Sequence, residues 1–85
     1  MTEVKQRNPW RLSAREYEVV KLICAGLSSA EIALRLHIGN RTFQSHVAHV
    51  MQKLDAYDRI CIVLAVLHHP EARRDCFPTL EIKDK

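Results

Sequence analysis

The sequence has few of the features that mark a secreted, membrane-spanning or disulfide-stabilised protein. Its 85 residues include three cysteines, and Cys24, Cys61 and Cys76 are widely separated with no Cys-x-x-Cys pair. An odd, scattered set of this kind indicates neither a disulfide framework nor a structural zinc site. There is also no signal peptide and no apolar stretch long enough to cross a bilayer. We therefore expect a reduced, cytoplasmic protein without a membrane partner.

Patterns that carry catalysis or bind a cofactor are also missing. The chain has two glycines and no glycine-rich phosphate loop, no paired carboxylates in an apolar setting and no nucleophile motif. His46 and His49 form a His-x-x-His pair, which alone is weak evidence for a metal. A third ligand from Cys61 or Cys76 would have no recognisable spacing. We expect no enzymatic activity, no cofactor and no metal site.

The composition is that of one small packed domain with a mild basic excess. Hydrophobic residues make up 47% of the chain, which argues against disorder. A chain this short buries a limited core, so oligomerisation would help its stability. Residues 1–55 carry eight Lys and Arg against five Asp and Glu, whereas residues 56–85 carry five of each. The positive surplus in the first part of the chain supports contact with nucleic acid weakly.

Two serines predict where the first two helices begin. Ser13 is followed by Glu16 at the spacing of a capping box, in which serine and glutamate satisfy each other's backbone N–H groups. Ser28 is followed by Glu31 in the same way. Gly26 supplies a left-handed stop between the two helices. The predicted helices span residues 14–25 and 29–36.

A third, longer helix is predicted to have two chemically different faces. Its buried face carries apolar side chains at helical spacing, which are Phe43, Val47, Val50, Met51 and Leu54. Its opposite, polar face carries Arg41, Gln44, Ser45, Ala48 and Gln52, with His49 at the margin. The helix spans residues 40–54, and a turn over residues 37–39 directs Ile38 into the core.

The second and third helices with their short turn form a helix-turn-helix, whose usual role is to place its second helix in the DNA major groove. We therefore predict an all-α, compact four-helix domain that binds double-stranded DNA. The predicted organisation is a flexible N-terminal arm over residues 1–9, the domain over residues 10–69 and a C-terminal tail over residues 70–85. Trp10 and Leu12 are expected to fold back onto the core.

A fourth helix, over residues 57–69, is apolar on nearly every side. One small core cannot cover all of it, so its second apolar surface predicts a partner, most simply another copy of the chain. The predicted dimer interface is Ile60, Val63, Leu64 and Leu67. The alternative is that residues 71–85 fold back and cover this surface, using Phe77, Leu80 and Ile82.

The predicted DNA contacts fall into two groups. Arg, Gln and Ala side chains can contact guanine, adenine and the thymine methyl in the major groove, and the predicted base contacts are Arg41, Gln44, Ser45 and Ala48. Helix N-termini, hydroxyls and basic side chains bind phosphate, and the predicted backbone contacts are Ser28, Ser29, Thr42, Lys53 and Arg59, with Arg41 a further candidate. The alternative is that the polar face is only a solvated helix surface.

Several short runs, in the right order and at the right spacing, resemble the LuxR-type (GerE-like) DNA-binding domain. These are the runs 12–20, 26–33 and 42–47, with Lys53-Leu54 and Arg59 at the positions of the family's Lys-Leu and Arg. The resemblance covers roughly residues 10–68. It implies that the third helix enters the major groove with contacts from Thr42, Gln44, Ser45 and Ala48. It also implies that the fourth helix pairs two copies on a two-fold-symmetric site, and that His46 lies at the DNA boundary, where the family also has His.

Four positions depart from the family pattern. Gln44 stands where Lys or Arg is usual, which removes one strong contact and alters the expected affinity and sequence preference. Gly39 stands where Ser usually caps the third helix, although Asn40 could cap it one residue later. Phe43 and Asp55 replace the common Val and Gly, so the packing and the exit turn differ.

Two functions follow as hypotheses. The first is a sequence-specific, dimeric regulator of transcription, and only about ten residues precede its domain. Met1 and the tail favour a complete short protein, controlled by its abundance or by a partner. The second is a protein-interaction module that pairs with a full-length LuxR-type regulator and blocks or modulates it without binding DNA. The affinity for duplex DNA and its dependence on salt would separate them.

Overall fold

The computed structural model describes residues 9–78, and all regular structure within that range is helical. The helices are α1 (Ala14–Cys24), α2 (Ser29–Leu36), α3 (Asn40–Leu54), α4 (Arg59–Leu67) and α5 (Pro70–Cys76). The predicted all-α class with its helix-turn-helix is confirmed, and the first three helices have the predicted limits to within one residue. Most of the predicted arm and the last part of the predicted tail lie outside the described residues.

Both predicted capping boxes are formed. The Ser13 hydroxyl accepts a hydrogen bond from the Glu16 N–H at 3.1 Å, and the Glu16 carboxylate accepts one from the Ser13 N–H at 3.0 Å. Ser28 and Glu31 make the same pair of bonds at 3.2 and 2.8 Å. Each box satisfies two N–H groups that a helix start leaves free. Between α1 and α2, Gly26 has a φ of 92° and ends α1 in the left-handed region, as predicted.

The turn between α2 and α3 places α3 without help from a side-chain cap. His37 takes a left-handed φ of 58°, and the half-buried Ile38 then packs against the core. The N-cap of α3 is Gly39, which has extended backbone and no side-chain hydrogen bond to the helix. The expectation that Asn40 caps α3 is wrong, because Asn40 is already the first helical residue.

The core forms where α3 packs against α1 and α2 and where α4 closes the other side. Its fully buried larger side chains are Val19, Val20, Ile32, Val50, Ile62 and Val66. Leu12 is buried and Trp10 packs against the same cluster from ahead of α1, as expected. Because α1 and α2 cover the apolar face of α3, the polar face of α3 is left outward.

α4 is shorter than the predicted span of residues 57–69. It begins at Arg59 because the Asp58 carboxylate caps it, accepting a hydrogen bond from the Cys61 N–H at 2.8 Å. It ends at Leu67, and the chain turns over the next two residues into α5.

α5 is an addition to the expected four helices. Pro70 occupies the first turn, where a missing N–H costs little. The ring of His69 caps the helix by accepting a hydrogen bond from the Ala72 N–H at 3.4 Å. The sequence pattern does not reveal this helix because it is seven residues long and mostly polar.

The fold-back alternative for the tail is partly realised by α5. Ala72 and Cys76 are buried, Phe77 packs against the core, and α5 contacts both α1 and α4. Leu80 and Ile82, the other side chains expected to take part, lie outside the described residues. One side of α4 is covered in this way, and the other remains open.

Candidate nucleic-acid interface

The polar face of α3 is exposed over its whole length. Arg41, Gln44, Ser45, Ala48 and Gln52 are all exposed, and so is Thr42 beside them. Within residues 9–78, the side chains of Arg41, Gln44 and Ser45 make no hydrogen bond or ion pair that would hold them to the domain. These predicted contact residues therefore share one surface on which their donors and acceptors are available to a ligand. His46 differs from them, because it is half-buried on the flank of the helix.

The start of α3 favours an anion. Its first turn contains no acidic residue, and Gly39 offers no side chain to bond the free N–H groups. The N-terminus of a helix carries a partial positive charge and unpaired N–H donors. Arg41 adds a full positive charge in the same turn. This end of α3 thus has the electrostatics of a phosphate-binding surface.

The start of α2 differs from that of α3 because it has both a negative and a positive side chain nearby. The capping box already uses the Ser28 hydroxyl, and it places the Glu31 carboxylate against the Ser28 N–H. The hydrogen bond from the Ser28 N–H to the carboxylate, followed by the contribution of the Ser28 hydroxyl, lowers the pKa of Glu31, so a negative charge is retained there. The positive charge of Arg59, a residue of α4, offsets this negative charge. Its guanidinium donates to the Leu27 carbonyl at 2.6 Å and to the Ser29 hydroxyl at 3.5 Å.

One concavity brings three of the predicted contact residues together. A shallow cavity of about 230 Å³ is lined by Ser29 of α2, Gln44 of α3 and Arg59 of α4. Its remaining lining is apolar and consists of Ile23, Phe43, Val47, Met51 and Ile62. One predicted base-contact residue, Gln44, and two predicted phosphate-contact residues, Ser29 and Arg59, therefore line the same cavity where α2, α3 and α4 meet.

The C-terminal half of α3 is tied to α1. Lys53 donates to the Glu16 carboxylate at 2.9 Å and to the Arg11 carbonyl at 3.2 Å. His49 Nδ1 lies 3.5 Å from the other carboxylate oxygen of Glu16. Lys53 was predicted as a DNA backbone contact, and here its ammonium group joins α3 to the segment in front of α1. Its contact with DNA stays a prediction.

Glu16 was predicted only as a helix cap, and the structure gives it a second role. Its side chain is 8% exposed. Burial would raise the pKa of its carboxyl. The hydrogen bonds from Lys53 and from the Ser13 N–H, with the positive charge of Lys53, outweigh burial and lower that pKa. A buried, ionised Glu16 therefore ties the C-terminal half of α3 to the start of α1. The capping-box spacing could not reveal this, because Lys53 is 37 positions further along the chain.

An apolar stripe remains on α4. Ile60 is 68% exposed and Leu64 is 46% exposed, whereas Val63 and Leu67 are half-buried. A groove of about 290 Å³ between α1 and α4 is lined by Ile23, Arg59, Ile60, Val63 and Leu64. Exposed apolar side chains that are adjacent on a surface mark interaction sites more reliably than isolated ones.

Tyr57 is a further exposed apolar side chain, and it was not among the predicted interface residues. It is 80% exposed and stands three positions before Ile60, which is itself four before Leu64. Because Tyr57 precedes Asp58, the N-cap of α4, helical spacing does not place it on the stripe. It is the largest of the exposed apolar side chains within residues 9–78.

The described residues contain neither a cluster of metal-binding side chains nor a membrane-spanning helix. No group of three or more His, Cys, Asp and Glu side chains among residues 9–78 is arranged to hold a metal ion. None of the five helices is both long enough and apolar enough to cross a membrane.

The fold and the exposed face of α3 together define a helix-turn-helix domain of the DNA-binding class. The family model described as bacterial regulatory proteins, luxR family, matches residues 11–66. The chain therefore belongs to the LuxR family, and the resemblance seen in the sequence is confirmed.

Curated relatives agree with this assignment. The chain is 38% identical over 58 residues to the response regulator protein VraR of Staphylococcus aureus, and matches the VraR proteins of Staphylococcus saprophyticus and Staphylococcus epidermidis equally well. The matched segment covers 68% of this chain and 28% of each relative. The family match ends before α5 begins.

Proposed function

We propose that this chain is a regulator of transcription that binds specific DNA sequences as a homodimer, with α3 in the major groove. The observation that carries the proposal is the polar face of α3, whose side chains are exposed and unengaged within residues 9–78. In other helix-turn-helix proteins, side chains near the start of the second helix contact base edges. Arg41, Gln44, Ser45 and Ala48 have that position in this chain.

The phosphate contacts in this proposal come from the ends of three helices. Ser28, Ser29 and Thr42 offer hydroxyls or backbone N–H groups at the starts of α2 and α3. Arg59 and Lys53 supply positive charge, and His46 lies at the edge of the DNA. Two N–H groups of Arg59 are engaged by the domain, which leaves others of its five N–H donors for a phosphate.

A homodimer would use the exposed stripe of α4. Ile60 and Leu64 would pack against the same stripe of a second copy, with Val63 and Leu67 at their sides. A two-fold interface brings the same patch of each subunit together, and it would present two copies of α3 to two half-sites of DNA. Acting on DNA, the protein would work in the cytoplasm.

Selection from a random pool of DNA duplexes tests the DNA-binding part of the proposal. We expect the purified protein to enrich an inverted-repeat sequence. Gln44→Ala should change the preferred bases, since one good base contact contributes about 1–3 kcal/mol of discrimination. Gln52→Ala is the matched control, because Gln52 is exposed on the same face two turns further on. Equal profiles for the wild type and Gln44→Ala would remove Gln44 from the contact set.

Sedimentation of two leucine variants tests the dimer. Leu64→Asp places a charge in the α4 stripe and should weaken both self-association and DNA affinity. Leu34→Asp changes a leucine on α2 that is even more exposed, at 77%, and should leave self-association unchanged. A wild-type protein that is already monomeric at the concentrations used for DNA binding contradicts the dimer.

A second function is favoured by the exposed α4 stripe together with Gln44. The chain could pair with a full-length LuxR-type regulator through α4 and block or modulate it without binding DNA. The salt dependence of duplex binding separates the two functions, because contact with phosphates releases counterions and makes affinity fall steeply with salt. No enriched sequence, with only feeble binding at low salt, would favour the interaction module.

A further inference from the structure

The cavity where α2, α3 and α4 meet has an apolar floor and a polar rim. Its floor is formed by core side chains and by side chains packed against the core, which are Ile23, Phe43, Val47, Met51 and Ile62. Its rim is formed by Ser29, Gln44 and Arg59. Small-molecule sites combine these two features, because apolar surface binds the body of a ligand and a few polar groups fix its orientation.

The size of the cavity limits the ligand to a single ring. Its volume is about 230 Å³. In another protein an apolar cavity of about 150 Å³ holds benzene, whereas sites for drug-sized molecules occupy roughly 300–1,000 Å³. The space therefore fits one six-membered ring with one small substituent, and a larger molecule would extend beyond the opening.

The rim gives this cavity a positive charge. Arg59 is the charged residue among its lining side chains, and no acidic side chain within residues 9–78 lines it. The Arg59 guanidinium uses one N–H for the Leu27 carbonyl and one for the Ser29 hydroxyl, which leaves three of its five donors. A guanidinium with free donors pairs with a carboxylate through short, charge-assisted hydrogen bonds.

Two further lining residues define the rest of the ligand. The exposed Gln44 side chain makes no hydrogen bond or ion pair within residues 9–78, so its amide group can donate to the same carboxylate. The sulfur of Met51 and the ring of Phe43 belong to the floor. Both favour an aromatic ring over an aliphatic one, through sulfur–aromatic and ring–ring contacts.

We propose that this cavity binds a small aromatic carboxylate, with the ring on the apolar floor and the carboxylate paired with Arg59. Because Ser29, Gln44 and Arg59 are also among the proposed DNA contacts, the bound molecule and DNA exclude each other. This competition rests on the proposed function, whereas the binding of the carboxylate does not. A ligand of this class therefore acts by releasing the domain from DNA.

A titration with sodium benzoate tests the binding. The chain contains two methionines, so protein labelled with ¹³C at the methionine methyl groups gives a simple spectrum, and Met51→Leu assigns the signal of Met51. That signal should shift and saturate with a Kd of about 1 mM, as suits a ligand of this size. Met51 does not line the groove beside α4, so binding in that groove would leave the signal in place.

Two relatives of benzoate separate the charge from the ring. Sodium acetate at the same ionic strength should leave the Met51 signal unshifted, because it has no ring for the floor. Benzyl alcohol should bind at least roughly tenfold more weakly than benzoate, because it cannot form the charge-assisted pair with Arg59. A Met51 shift that does not saturate, or equal affinities for benzoate and benzyl alcohol, would overturn the proposal.

Variants of two arginines locate the carboxylate. Arg59→Gln should weaken benzoate binding by roughly tenfold or more. Arg35→Gln is the matched control, because Arg35 is an exposed arginine of α2 that does not line the cavity. Equal losses in both variants would contradict a carboxylate at Arg59. If Arg59→Gln folds poorly, the comparison of benzoate with benzyl alcohol on the wild type decides the outcome.

DNA binding in the presence of benzoate tests the competition. The apparent affinity of the wild type for a labelled duplex should halve when the Met51 signal is half saturated, and sodium acetate at the same concentration should not halve it. Saturable benzoate binding with unchanged DNA affinity would overturn the competition. A wild type that binds no DNA would contradict the proposed function, and the titration of Met51 would still decide whether the cavity binds the carboxylate.

Discussion

The two halves of α3 differ in how their polar side chains contact the rest of the domain. In the C-terminal half, Lys53 and His49 converge on the buried carboxylate of Glu16. In the N-terminal half, Arg41 and Gln44 are exposed, and no described residue engages their side chains. The same helix is therefore fixed at one end and open at the other.

Because of this difference, the side chains of the C-terminal half position the helix, whereas those of the N-terminal half are available to a ligand. A side chain engaged within the domain contributes to stability and to the direction of the helix, and its partners would have to be displaced before it met a ligand. A free polar side chain on a rigid helix is available to a ligand with little rearrangement. The anchored half of α3 holds the open half at a defined angle to α1, as the proposed base contacts would require.

The largest effect should come from removing the anchor. Glu16→Ala deletes half of the capping box and leaves Lys53 without its carboxylate. We expect the free energy of unfolding to fall by about 2–3 kcal/mol, somewhat less than for a fully buried pair because the side chain of Lys53 is 39% exposed. Urea denaturation followed by circular dichroism measures it.

Glu18→Ala is the matched control for that anchor. Glu18 pairs with Arg15 at 3.2 Å on the same helix, but both side chains are about half exposed. Such a pair contributes at most about 0.5 kcal/mol. Equal losses for the two variants would mean that Glu16 does not anchor α3.

The anchor should also make stability depend on pH. The pKa of Glu16 is lower in the folded protein than its ordinary value of 4.5. Its contribution is therefore complete above pH 4.5 and is lost as the pH falls through the folded-state pKa. The stability difference between the wild type and Glu16→Gln should shrink over that acidic range. A difference that stays constant from neutral pH down to about pH 3 would contradict an ionised Glu16.

The open half should behave in the opposite way. Arg41→Ala is expected to leave the free energy of unfolding unchanged while lowering DNA affinity roughly tenfold, and a lost phosphate contact would reduce the salt dependence by about one charge. Fluorescence anisotropy with a labelled duplex at several salt concentrations measures the DNA affinity and its salt dependence, and urea denaturation measures the free energy of unfolding. Arg15→Ala, which removes an exposed arginine from α1, should change neither the DNA affinity nor its salt dependence. A loss of stability in Arg41→Ala would show that this half is anchored too.

Local sequence signals predicted the parts of this comparison that depend on neighbouring residues. Ser13, Ser28 and Gly26 located helix ends because caps act over three or four positions. The outward face of α3 followed from the helical spacing of Phe43 and Val50. Those features needed no knowledge of the rest of the fold.

The parts that escaped prediction depend on contacts between distant segments or on very short elements. The pairing of Glu16 with Lys53 joins α1 to the end of α3, and the hydrogen bond from the Tyr17 hydroxyl to Asp75 joins α1 to α5. α5 carries only Ala72 and Cys76 as buried residues, too few for a periodic signal. α4 begins two residues later than predicted because Asp58 is its N-cap. The apolar run that follows Asp58 dominated the sequence pattern, so this capping role was not predicted.

A smaller effect is expected at the anchored end of α3. Asp55 closes the helix with a φ of 57°, in the left-handed region that glycine adopts at no steric cost. Asp55→Gly should raise the free energy of unfolding by about 0.5 kcal/mol, since aspartate tolerates this region better than most residues. Ala25→Gly is the control, because Ala25 ends α1 with a φ of −78° and gains nothing from glycine. That control should lose stability, and a loss in both variants would mean that Asp55 is unstrained.

The smallest effect is expected at the open end. Gly39 has a φ of −78° and no neighbour within 4 Å of the position a Cβ would take, so a side chain fits there without strain. In Gly39→Ser the hydroxyl would accept a hydrogen bond from the Thr42 N–H and raise the free energy of unfolding by a few tenths of a kcal/mol. Gly39→Ala fills the same space without an acceptor and should lower it. If the Thr42 N–H binds a phosphate in the complex, Gly39→Ser should also weaken DNA binding slightly while stabilising the free protein. If Gly39→Ser stabilises the free protein and weakens DNA binding, the missing side-chain cap at the start of α3 favours the ligand at the expense of stability.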